Sequence, residues 1–141
     1  MKYSEFLESL TGCPFCENKN EAICDEGTAY LTYALAPYHP DHLLIITKRH
    51  LDHFLDLNES EWKDVELLQK KGMMLLKKLG YKNVSILVRE GDSSGKSVSH
   101  LHYHLIPNIN LGNTDHSGAD RMILTSGEVE SEIKRLKEAL V

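Results

Sequence analysis

His100, His102 and His104 occupy every second position in the run Val98-Ser-His-Leu-His-Tyr-His-Leu-Ile106. Side chains on a β-strand point to opposite faces in turn, so this spacing gathers all three imidazoles on one side. The pattern therefore predicts a strand over 98–106, with Leu101, Tyr103 and Leu105 turned toward a core. Adjacent imidazoles make a poor apolar surface and carry ring nitrogens that need partners. A functional surface explains them better than histidines scattered without regard to face.

The remaining elements fall around that strand. Residues 83–89 read as its neighbour, joined through the polar 91–97 loop. That connection is too short for a helical crossover, so the two strands form an antiparallel hairpin. Leu43-Leu-Ile-Ile-Thr47 is a nearly continuous apolar strand. Segments at 21–26 and 29–36 are strand-like and split by the Glu26-Gly27 turn signal. Asn58 opens a long helix, with Glu61 placed to complete a capping box. Trp62, Val65, Leu68, Leu75, Leu76 and Leu79 mark its buried stripe, and Gly80 ends it. A short amphipathic helix fits 3–10, and a final helix fits 127–140 with Val129, Ile133, Leu136 and Leu140 as its apolar face. Hairpin strands beside a segregated helix make an α+β architecture. With 141 residues and no repeat or low-complexity linker, the chain reads as one domain, 1–141.

Hydrophobic residues make up 41% and charged residues 26%, values of an ordinary globular protein. No apolar run approaches the ~20 residues that span a bilayer. The first eight residues are charged and lack the apolar core of a secretory signal, so a cytoplasmic location is the default expectation. The net charge of −5, without a Lys/Arg cluster, argues against nucleic acid as a partner. A small nucleotide needs only a local set of donors and is not excluded.

His100-Leu-His-Tyr-His-Leu-Ile106 resembles the signature of the histidine triad (HIT) superfamily of nucleotide hydrolases and transferases: three alternating histidines with apolar residues between and after them. Arg89-Glu-Gly-Asp-Ser-Ser-Gly-Lys-Ser-Val-Ser99 resembles the family's Gly-rich run before the triad. Pro37-Tyr-His-Pro-Asp-His-Leu-Leu-Ile-Ile-Thr-Lys-Arg-His50 resembles its proline, first histidine, apolar strand and second histidine. The likeness covers a core at 13–107 and leaves a tail, 108–141. It implies an antiparallel sheet packed against one long helix, with short N-terminal and C-terminal helices. It also implies a homodimer formed through the long helix and an edge strand.

Cys13-Pro-Phe-Cys16 has three readings. A disulfide suits an unsecreted chain poorly. Cys-Pro-x-Cys is a redox spelling, but a thioredoxin-like site needs a preceding strand and a βαβ setting. The third reading is half of a zinc site. Here the resemblance supplies the other half, because a zinc-containing branch of the family pairs such cysteines with two histidines, at this chain's His50 and His100. A closed Cys₂His₂ set would be structural. A single ion on all three triad histidines is disfavoured, since the first and third start ~13 Å apart along a strand. Cys24 fits no pair and reads as a buried small residue.

The resemblance then assigns His102 as the nucleophile at an α-phosphorus, with a backbone carbonyl holding its other nitrogen. His104 becomes a donor to the phosphate, and His42 the fourth histidine of the pocket. Ser97 matches a position whose hydroxyl faces the phosphate. The plainer readings are a strand-edge His42 satisfied by water and a turn Ser97 capping its own backbone. His39, His53 and His116 read as surface residues. Lys96 and Arg89 stand where relatives usually carry Gln, and Asn or Gln, and add charge on the phosphate side. Ala34 stands where relatives often carry an Asp or Asn that binds ribose hydroxyls, and Asp41 replaces a Gly. Gly95-Lys-Ser97 is not a P-loop: position 90 is Glu, and a strand rather than a helix should follow.

The expectation is a hydrolase or nucleotidyl transferase that cleaves a nucleoside 5′-phosphate derivative, such as a dinucleoside polyphosphate, through His102. The alternatives are a nucleoside phosphoramidate hydrolase, a noncatalytic nucleotide-binding or scaffolding module, and a thiol redox protein.

Overall fold

The computed structural model describes residues 1–17, 21–91, 98–108 and 121–141. Its elements are helices α1 (Tyr3–Ser9) and α2 (Pro14–Glu17), strands β1 (Cys24–Asp25), β2 (Ala29–Tyr33) and β3 (Leu43–Thr47), and helix α3 (Glu59–Lys78). A 3-10 turn at Phe54–Asp56, strands β4 (Val84–Val88) and β5 (His102–Pro107) and helix α4 (Ser126–Leu140) are the others among the described residues. The strands form one antiparallel sheet in the order β1-β2-β3-β5-β4.

Alternation along the three central strands divides the core in two. Tyr30 pairs with Ile46, and Leu44 and Ile46 pair with His104 and His102, so these side chains share one face. Leu31, Leu43, Ile45, Tyr103 and Leu105 share the other, where they join Leu68, Leu75 and Leu76 of α3 and Ile133 and Leu136 of α4. Across the sheet lies a smaller cluster of Phe15, Tyr30, Ala34, Leu44, Ile46 and Val98. The triad strand thus buries one face under α3 and turns its histidines toward the second, thinner layer.

Helix α3 follows its predicted bounds. The Asn58 side chain accepts from the Glu61 N–H at 2.9 Å, and Glu61 accepts the Asn58 N–H at 2.9 Å. At Gly72 an added Cβ would come within 3.4 Å of Leu105 and Leu31, so this glycine lets the helix lie close on the sheet. Trp62 departs from the expected stripe. It is 41% exposed and meets Phe54 edge-on, with ring centroids 4.7 Å apart, instead of entering the core.

The strands are shorter than the sequence pattern suggests. β1 has two residues and β2 ends at Tyr33. β5 begins at His102, so His100 lies ahead of the strand and not on it. Two bonds explain this: the Leu101 N–H goes to Leu51 O at 2.7 Å, and Thr47 O, at the end of β3, takes the His100 ring at 2.7 Å. Cys24 is only half-buried. Among the described residues, no helix is long and apolar enough to cross a membrane.

Candidate active site and metal centre

The metal cluster follows from the turn before β5. Thr47 O can only accept, so the His100 ring carries its proton on Nε2 and turns the lone pair of Nδ1 outward. That nitrogen lies 3.4 Å from both Cys13 Sγ and Cys16 Sγ, and His50 Nδ1 lies 3.2 Å from Cys16 Sγ. All four ligand atoms fall within 4.8 Å of one another. Such separations suit a tetrahedral ion about 2.0–2.3 Å from each ligand. Burial also holds the His100 pKa below its ordinary value, which keeps the ring in the neutral, ligating form. No disulfide joins Cys13 and Cys16. Arg49 braces the neighbouring turn by donating to the buried Glu61 carboxylate at 2.7 and 3.1 Å, which ties His50 to the start of α3.

The remaining triad histidines line a pocket with His42, Arg89 and Arg121. His102 Nδ1 lies 2.8 Å from His100 O, and a carbonyl can only accept. In the neutral ring, Nδ1–H therefore donates and Nε2 carries the lone pair. Phe15, from between the two cysteines, packs edge-on against His102 with centroids 5.1 Å apart. One short helix thus serves both the metal cluster and the pocket.

A run of two hydrogen bonds fixes the tautomers of His42 and His104. The Tyr38 backbone N–H donates to His42 Nδ1 at 3.1 Å, so the His42 proton sits on Nε2. That nitrogen lies 2.9 Å from His104 Nδ1, which must accept, leaving the His104 proton on Nε2. Burial is the main cause that pushes the His42 pKa down to about 3, helped by the charges of Arg121 and His102. His104 falls well below its ordinary value for the same main cause. Both rings are neutral near pH 7, and His104 can present an N–H without bearing charge. His42 is fully buried behind this bond, so it reaches the pocket chemistry through His104.

The structure brings together Cys13, Cys16, His50 and His100 as one set, and His42, His102, His104 and Arg89 as another. Ser97 and Lys96 lie outside the described residues, as does His116. Ala34 lines the pocket beside Leu35 and Ala36. Arg121 was not singled out by sequence. Its guanidinium lies 3.8 Å from the Tyr38 ring centroid and 4.5 Å from that of Tyr3, and it donates to Ala36 O at 2.6 Å. Nothing in the local pattern near residue 121 marks a pocket residue. Phe15 lies inside the Cys13-Pro-Phe-Cys16 motif, whose spacing marks only the flanking cysteines.

A sequence model of the HIT domain matches residues 16–111. The chain belongs to the HIT family. A HIT-like protein of Methanocaldococcus jannaschii is 30% identical over 100 residues, which covers 67% of this chain and 78% of that one. The Arabidopsis thaliana bifunctional bis(5′-adenosyl)-triphosphatase/adenylylsulfatase is 27% identical over 75% of this chain, which spans 59% of that protein's length. Among solved structures, a Plasmodium falciparum diadenosine triphosphate hydrolase superposes with a TM-score of 0.69 at 25% identity, covering 85% of this chain and 76% of that one. A zinc-bound histidine triad protein from Mycobacterium smegmatis shares the fold, with a TM-score of 0.67 at 18% identity over 95% of this HIT chain and 94% of its own.

Proposed function

We propose that this HIT protein hydrolyses or transfers the nucleotidyl group of a nucleoside 5′-phosphate derivative, with a dinucleoside polyphosphate as the preferred class. The observation that carries the reading is the pairing of His102, whose lone pair is assigned to Nε2, with His104, a neutral ring whose proton is assigned to Nε2. The His102 lone pair attacks the α-phosphorus while the bond from phosphorus to the leaving group breaks, and the electron pair departs with that group. The nucleotidyl-histidine then carries a positive ring, whose Nδ1–H stays on His100 O. Water attacks phosphorus next and releases a proton to solvent, the P–N bond breaks, and the pair returns to Nε2. The His104 N–H offsets the charge that develops on the phosphoryl oxygens.

Arg89, Lys96 and Ser97 are the proposed phosphate-side contacts. Arg89 lines the pocket, and the other two follow from the family resemblance alone. Zinc is the proposed metal on Cys13, Cys16, His50 and His100, supported by the donor set, its spacing and the His100 tautomer. When bound it would be structural, holding the N-terminal segment against the turn before β5. A homodimer is proposed as well. β4 is an edge strand, and Ile86 on it remains exposed together with Trp62 and Met74 of α3.

A panel of dinucleoside polyphosphates and nucleoside phosphoramidates, assayed against the purified protein and its His102→Ala variant, tests the reaction. Turnover of a polyphosphate that the variant lacks is the expected result. Tight product binding with no turnover of any member would instead make the chain a binding module.

A further inference from the structure

Asp41, the residue before His42, sits in an unusual place for an aspartate. Its backbone is left-handed, with φ 70, a conformation that glycine adopts at no steric cost. The carboxylate is nevertheless buried, 6% exposed, and both of its oxygens are engaged. Tyr81, just past α3, donates its hydroxyl to Oδ2 at 2.6 Å, and Arg135 of α4 donates to Oδ1. The Asp41 N–H donates to the Tyr33 hydroxyl at 2.7 Å, at the end of β2. Three elements distant in sequence therefore converge on one residue.

The turn that Asp41 closes is the one that orients His42. The His42 N–H donates to His39 O at 3.1 Å, and its carbonyl accepts from the Ala34 N–H at 2.9 Å. The Tyr38 ring stacks on the His42 ring with centroids 5.6 Å apart, and the Tyr38 N–H supplies the bond that decides the His42 tautomer. Loosening within the 38–42 turn would weaken that bond, because its donor and acceptor belong to the turn's opposite ends. The turn itself has no regular secondary structure to stiffen it.

We infer that Asp41, clamped by Tyr81 and Arg135, is a positioning residue that holds the 38–42 turn so that His42 delivers its Nε2–H to His104. A glycine would satisfy the backbone, so the carboxylate's partners are what an aspartate adds here. Helix α4, which lies beyond the matched HIT segment, thereby reaches the site through one ion pair. The kinetic arm of the test rests on the proposed reaction, whereas the spectroscopic arm needs no substrate.

The test compares Asp41→Asn, Asp41→Gly and Arg135→Gln with the parent by nitrogen-15 imidazole NMR on the metal-loaded protein. The parent should show one His42 tautomer with a slowly exchanging Nε2–H. In each variant that proton should exchange faster or the tautomers should mix, with metal content unchanged. Turnover should fall about tenfold or more in kcat with KM little changed, as expected when a reacting geometry loosens. Tyr81→Phe, the mildest change, should move both readings the same way by less and covers the case of a misfolded variant. An unchanged His42 signal with lowered thermal stability would overturn the inference and leave Asp41 as a plain anchor for α4. A parent that turns over no nucleotide yet shows the NMR changes would sink the proposed reaction and spare the positioning role.

Discussion

At the residue scale, the site is set by which group meets each second ring nitrogen. A carbonyl behind His102 makes it a donor at Nδ1, and an amide behind His42 makes it an acceptor there, without any change in charge. The depressed His42 pKa carries a stability consequence. Unfolded His42 titrates near 6.5, while the native ring stays neutral down to about 3. Between those values the unfolded chain binds a proton that the native chain does not. Stability should therefore fall as pH drops from about 6.5 toward 3, and His104 acts in the same direction. Thermal melts across that window check this, and His42→Gln should flatten the slope below pH 6.5. An equal slope in the variant would show that other groups dominate. His102 and His104 were legible as a pair in sequence because alternation survives in a strand, whereas His100 falls outside it. The His42–His104 bond was not, since a pair 62 positions apart leaves no local pattern.

At the element scale, caps and turns decide where the histidines go. The helix bounds were readable because the Asn58 and Glu61 cap and the apolar stripe are local signals. The start of β5 was not, because it depends on the His100 ring taking a carbonyl at the end of β3, a contact between distant segments. From its place ahead of the strand, His100 faces the cysteines. Helix α2 couples the two sites through Phe15. Cys13→Ser should therefore remove the metal and lower thermal stability, since a structural zinc contributes several kcal/mol to folding. It should also slow turnover, because Phe15 no longer packs on His102. Elemental analysis with a melt and an assay reads all three. A variant that keeps its metal would contradict the ligand set.

For the whole molecule, the sheet is a partition between a structural side and a reactive one. α3 and α4 cover the first, and the thin layer of α1, α2 and Arg121 covers the second. The Tyr3 N–H bonds Arg121 O at 3.1 Å, and the Leu124 N–H bonds Leu35 O at 2.9 Å, which carries the tail onto the pocket wall. The tail's part in that wall could not be read in advance, because its contacts run from one end of the chain to the other. The apolar side chains left on α3 and β4 should be covered in solution by a second copy. Sedimentation should give twice the chain mass, and Ile86→Lys should shift it to one. A parent chain that sediments as a monomer at micromolar concentration would contradict that assembly.

In the proposed reaction His102 forms the covalent bond to phosphorus, and that bond can be trapped. Protein mixed with a dinucleoside polyphosphate and quenched within the first turnover in alkaline denaturant should retain a P–N adduct, which base preserves and acid cleaves. Peptide mass analysis should place one nucleotidyl group on His102, and His102→Ala should show none while keeping its fold and metal. An adduct on His104 or His100, or near-normal turnover in His102→Ala, would contradict the account.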